Sequence, residues 1–209
     1  MMQTDGWLAA VVGGAVALPL SIVLHEVGHF GAYAAFGFPD PTLHFSSAGW
    51  TGSSEFRVLW WTGRFEEAAA IAEPWRVAVG AAVGPAVSYL TAIGCLLAVR
   101  RWGPGPLRFV LGLGLSAPVH GLGALNIFVI NTFGGGFTGN QDDGNVGLIA
   151  GISPSLTTIP GMLCVLLVPL FLIMAIPRGR RVRVVVPVVG GMALGGSLWI
   201  YWLGPLLLP

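Results

Sequence analysis

The chain has 209 residues, 55 % of them hydrophobic and only 9 % charged, with a mean hydropathy of +0.80 and a formal net charge of +1. Soluble domains carry about a quarter charged residues, so this composition excludes an ordinary soluble domain and predicts a single integral membrane domain over 1–209. All ten basic residues are arginines, and with a net charge so near zero the chain is not expected to bind nucleic acid.

A membrane-spanning helix needs about 20 mostly apolar residues, and by that measure the chain is expected to be an all-α polytopic protein with about five spans. The first runs over 7–36. It has no basic region ahead of its apolar stretch, so it is expected to be a retained span and not a cleaved signal peptide. A polar, tryptophan-rich connection over 37–75 follows. Within it "LHFSSAGWTGSSEFRVLWW" alternates and is rich in Gly and Ser, which suits a small β-hairpin or re-entrant element, and "FEEAAAIAEPW" suits a short interfacial helix. The second span is expected over 76–99 and the third over 109–131. The polar, glycine-rich stretch "NTFGGGFTGNQDDGNVG" cannot face lipid. A short helix over 144–152 comes next. Ser153-Pro154 reads as an N-cap with proline at the first helical position, opening a fourth span to residue 176. The fifth span covers 184–206, and its "GGMALGG" suits close helix packing. Cys95 and Cys164 fall in separate apolar segments and are expected to be small core residues, not a disulfide.

The chemistry is concentrated in "SIVLHEVGHFGAY", residues 21–33. His25 and His29 are four apart and share one helix face. Two imidazoles at that spacing chelate a divalent ion, for which zinc is the natural choice. Glu26 projects beside them, where it can deprotonate a water at the ion. An acidic side chain in a span costs about 3 kcal/mol on insertion scales and by default marks a function. A catalytic zinc needs a third protein ligand. Asp142 and Asp143 in "NQDDGNVG" are the acidic candidates, against the plainer reading of an Asp-Gly turn with a helix cap. At 1.5 Å per residue, His29 lies about 10 Å and His25 about 16 Å below the surface reached by the first span. The second span starts from that surface, carrying Gly84-Pro85 to similar depth, and the third returns the aspartates to it. His120, about 16 Å deep on the same count, is a further candidate ligand or a supporting hydrogen-bond donor.

The order of these elements resembles the site-2 protease family of intramembrane zinc metalloproteases, over roughly residues 18–150. "HEVGH" stands in one span, "GPAVS" early in the next, and an Asp-Gly after a third, Asn-containing span. The resemblance implies that His25 and His29 bind one zinc per chain and that Glu26 is the general base. It selects Asp143, directly before Gly144, as the third ligand, with Asp142 and His120 as second choices. It further implies substrate contacts at Gly84, Pro85 and Ser88, the last standing where the family has asparagine, and at Asn126 or Asn131. The implied core covers 7–152, with additional spans at 153–176 and 184–206 and no inserted PDZ domain. The implied activity is regulated intramembrane proteolysis of transmembrane protein substrates in a cell membrane. An extended substrate would add to the strand-like segment over 44–56. An inactive binding relative of the family, or a proton- or metal-linked transporter, would be the alternative. The turns at Arg100, Arg101, Arg108 and residues 178–183 lie opposite the expected metal face and bias that side toward the cytoplasm, against Arg57, Arg64 and Arg76 on the other.

Overall fold

A computed structural model describes residues 4–103, 108–133 and 142–209. The described residues include five helices long and apolar enough to span a membrane and one small antiparallel sheet, and 83 % of the structure is helical, as the composition and patterning predict. The order is α1 (Thr4–Ala35), β1 (Thr42–His44), β2 (Ser47–Gly49), α2 (Ser53–Trp61), α3 (Phe65–Ile71) and α4 (Pro74–Trp102). Next come α5 (Arg108–Ser116), a 3-10 turn (Ala117–His120), α6 (Gly121–Thr132), α7 (Asp142–Ala150), α8 (Pro154–Thr157) and α9 (Ile159–Ala175). A second 3-10 turn (Arg178–Arg180), α10 (Arg181–Leu198), a π-helical turn (Trp199–Leu203) and α11 (Gly204–Leu207) complete the chain.

Three expected elements differ in detail. The third span is broken at Ala117–His120, because Pro118 supplies no amide hydrogen and its ring crowds the preceding turn. The helix expected over 144–152 begins at Asp142, where two carboxylates in the first turn favour the positive end of the helix dipole. Of the strand-like segment over 44–56, only part is extended: the strands end at Gly49, and Ser53 onward is helical.

The first span, α1, packs against α10, α4 and α5 and so lies at the centre of the bundle. Its seam with α10 is backbone against backbone. A Cβ on Gly191 would come within 2.0 Å of the Val11 carbonyl oxygen, and one on Gly195 within 1.9 Å of that of Ala15. Small residues at such a seam bring in dispersion contacts that replace the missing hydrophobic drive in lipid. A second core lies beside the hairpin, where Phe38, Trp50, Phe56, Leu59, Ala68, Val77, Ala78 and Ile149 are buried together. It holds β1, β2, α2 and α3 against the ends of α4 and α7.

The register pairs Thr42 with Gly49, Leu43 with Ala48 and His44 with Ser47 around a two-residue turn. In such a hairpin the closing pair exchanges both hydrogen bonds, so Ala48 in the next pair turns its N–H and C=O away from β1. The turn itself is fastened by the fifth span. Trp199 Nε1 donates to the Phe45 carbonyl (3.0 Å), the Phe45 amide donates to the Leu208 carbonyl (3.0 Å), and His44 Nδ1 meets the Pro209 carbonyl.

The glycine seam generates a prediction. Gly195→Val will undock the fifth span and lower the thermal midpoint of the detergent-solubilised protein by several degrees, consistent with an overpacking cost of about 1–3 kcal/mol. Gly190→Ala, whose Cβ would meet nothing within 4 Å, will leave the midpoint unchanged or slightly raised. Equal midpoints for Gly195→Val and wild type would contradict the packing described.

Candidate metal centre

The helical spacing of His25 and His29 brings their Nε2 atoms to 3.1 Å, with the rings nearly perpendicular at 80°. Both residues are buried. The far nitrogen of each ring is held by α4. His29 Nδ1 donates to the Gly80 carbonyl at 2.8 Å, and His25 Nδ1 shares a 3.0 Å hydrogen bond with the Ser88 hydroxyl. A carbonyl only accepts, so the neutral His29 carries its proton on Nδ1 and leaves the Nε2 lone pair free. Partners of this kind orient and strengthen imidazole ligands at metal sites.

The third corner is Asp142. Its Oδ2 stands 3.1 Å from His25 Nε2 and 3.3 Å from His29 Nε2. With the 3.1 Å between the two nitrogens, the three atoms form a nearly equilateral triangle. Ligand atoms about 2.0–2.1 Å from a tetrahedral ion stand about 3.3 Å apart. The three donors therefore fit one small divalent ion with a fourth position open, and this group can hold a metal.

The order of preference between the two aspartates is corrected by the helix phase. Asp143 comes next on α7, about 100° round the helix from Asp142, and its Oδ2 accepts a 2.6 Å hydrogen bond from the Tyr89 hydroxyl. Burial pushes the Asp143 carboxyl up to about 6, and the neighbouring Asp142 charge adds to the rise against the Tyr89 hydrogen bond. At Asp142 crowding by protein opposes ionisation, but the two imidazole rings set against its Oδ2 favour the carboxylate and hold the carboxyl well below the usual carboxylate range. The group beside the histidines is thus a carboxylate at neutral pH, as a metal ligand must be.

His120 is outside the ligand triangle. The 3-10 turn delivers its ring flat against His25, with centroids 3.8 Å apart and planes 5° off parallel. It also lines a rear cavity of about 230 Å³ with His25, Pro85, Val119, Gly123, Asp142 and Asp143. In this position it buttresses the His25 ring.

The "GPAVS" residues lie against the histidines. A Cβ at Gly84 would come within 2.2 Å of His29 Nε2, so only glycine admits the ring. Pro85 faces the rear cavity and Ser88 is bonded to His25. Asn126 is exposed on α6 and lines neither this cavity nor the front cleft. The Asn131 side chain lies outside the described residues, as do residues 134–141.

Glu26 is 7 % exposed and faces the front of the triangle, with the Ala48 backbone amide directed at its carboxylate. A cleft of about 210 Å³ opens here, bounded by Glu26, His29 and Asp142 at one end. Ser46, Ser47 and Ala48 of the hairpin and Asn145 and Ile149 of α7 line it as well. Three contributors carried no sequence signal of a role: the Gly80 carbonyl, the Tyr89 hydroxyl and the Asn145 side chain.

No protein-family model, curated protein or solved structure matches this chain.

The geometry separates the two aspartates experimentally. Asp142→Ala will lower zinc affinity by more than the roughly 10–100-fold expected when a supporting hydrogen bond is lost, and Ser88→Ala will fall within that supporting range. Asp143→Asn, which keeps an acceptor for Tyr89, will retain about one ion per chain. Titration of metal-stripped protein with zinc measures all three, and loss of the ion from Asp143→Asn alone would reverse the assignment.

Proposed function

We propose that the chain is an intramembrane zinc metalloprotease that cuts transmembrane protein substrates in a cell membrane. The observation that carries this reading is the shared cleft. One opening brings together a buried carboxylate at Glu26, the His29 and Asp142 members of the ligand triangle and the β2 residue Ala48.

Two neutral imidazoles and one carboxylate suit zinc among the divalent ions. When bound, zinc supplies Lewis acidity and a water made acidic enough to ionise near neutrality. Glu26 sits where it receives the proton released as water oxygen bonds to the scissile carbonyl carbon. As the carbon–nitrogen bond breaks, Glu26 returns that proton to the leaving nitrogen. The fixed Nδ1 partners at Gly80 and Ser88 keep both imidazoles aimed throughout.

A helical substrate hides its carbonyls in its own hydrogen bonds, so it must be extended before it is cut. The outer edge of β2 offers the replacement: the Ala48 carbonyl faces away from β1, while the Ala48 N–H on the same edge is directed at the Glu26 carboxylate. Adding a strand there gives an extended peptide its backbone partners beside the general base. The cleft walls contributed by Trp50, Phe56, Trp60, Val77 and Ile149 suit an apolar side chain.

Purified protein in detergent or proteoliposomes will cleave a model transmembrane peptide in a zinc-dependent manner. Glu26→Gln will keep the metal but lose about 100- to 10,000-fold in rate, the range for removing a general base. Zinc-loaded wild type with no cleavage across a panel of transmembrane peptides would favour the non-catalytic binding reading.

The strand edge is tested separately. Ala48→Pro disrupts the outward edge of β2 together with the N–H directed at Glu26, and will reduce cleavage about tenfold or more while leaving zinc content intact. Unchanged cleavage by this variant would rule out strand addition at β2.

A further inference from the structure

Asn145 stands out among the polar groups of the protein. It is 7 % exposed, and its Oδ1 has no hydrogen-bond partner among the described residues. Buried amide oxygens are almost always paired, because the interior offers no water to replace a missing donor. This one also lines the front cleft, together with Glu26, Asp142 and Ala48. An unpaired carboxamide in such a place is explained by a donor that arrives with a ligand.

The position on α7 says which ligand. Asp142, Asn145 and Ile149 are spaced i, i+3 and i+7 and all line the cleft, so one face of the helix carries a metal ligand, an amide and an apolar side chain in that order. The face is fixed in place, since Trp60 Nε1 donates to the Leu148 carbonyl at 3.4 Å and Thr157 Oγ1 donates to the Asp143 carbonyl at 2.6 Å. Ser46, Ser47 and Ala48 of the hairpin line the same opening. An extended peptide there would use one edge for β2 and present its other edge, with its remaining backbone N–H groups, to α7.

We propose that Asn145 is a substrate-positioning residue, receiving a backbone N–H of an extended peptide on the side of the strand opposite β2. The inference rests on the protease reading and names the residue that holds the second edge of its substrate. One turn along α7 from Asp142, Asn145 fixes how far the peptide slides past the ligand triangle, and with it which peptide bond reaches Glu26. Ile149, a further turn on, meets the next side chain of the peptide and favours an apolar one.

Two probes test this in zinc-loaded, detergent-solubilised protein: acetohydroxamate, which reaches only the metal, and a hydroxamate built on a short apolar peptide, which also fills the cleft. Affinities come from calorimetric titration of wild type, Asn145→Ala and Asn145→Leu, with zinc content measured on each sample. Wild type is expected to bind the peptide hydroxamate more tightly than acetohydroxamate. Both variants are expected to lose about tenfold or more of that preference, the size of a buried hydrogen bond left unmade. Their zinc content and acetohydroxamate affinity are expected to stay at wild-type levels, which a structural or metal-supporting role would not allow. Asn145→Asp keeps an acceptor and is expected to recover part of the preference. Asn145→Leu, close in volume, serves if Asn145→Ala does not fold. A wild-type preference retained in full by both variants overturns the role of Asn145 and leaves the protease reading standing. Wild type that binds the peptide hydroxamate no better than acetohydroxamate overturns both.

Discussion

Everything in this structure depends on satisfying two imidazoles and a carboxylate inside an apolar helix. α1 carries His25, Glu26 and His29 buried within the helix bundle, and each unpaired polar group there costs several kcal/mol. The surrounding elements answer that demand one group at a time. α4 accepts the outer nitrogens at Gly80 and Ser88, α7 brings Asp142 to the inner ones, and the hairpin directs an amide at Glu26. Remove α1's polar triplet and there is no reason for α4 to carry glycine at residue 84, or for α7 to turn its first aspartate inward.

The close approach between α1 and α4 shows how packing and chemistry are one constraint here. His29 needs a carbonyl from α4, and only a glycine at residue 84 leaves room for its ring. The same economy appears at Gly191 and Gly195, where α10 lies against α1 without side chains between them. The fifth span thus buttresses the helix that carries the histidines, and its far end fastens the hairpin turn through Trp199 and Leu208. The fifth span is therefore tied both to the helix that carries the histidines and to the hairpin.

The hairpin and α7 both line that cleft, and they contribute different groups to it. β2 offers backbone groups without side-chain selectivity, whereas α7 offers a carboxylate, an amide and an apolar residue at fixed spacing. Such an arrangement would read a peptide's backbone on one edge and its register on the other.

The five spans were legible in the sequence because lipid imposes a length and a composition that few other constraints imitate. The His25–Glu26–His29 triplet was legible as well, since a four-residue spacing on a helix dictates its own geometry. The small hairpin between the first two spans followed from local alternation and Gly-Ser content. The choice of Asp142 over Asp143 was not readable, because adjacent residues on a helix point about 100° apart and only the docking of α7 decides which one meets the imidazoles. Likewise, that His120 would stack on His25 depended on how the break at Ala117–His120 was packed. The contributions of Gly80, Tyr89 and Asn145 belong wholly to the tertiary structure. A backbone carbonyl has no sequence signature, and a hydroxyl or an amide acquires a partner, or is left waiting for one, only when another helix is placed against it.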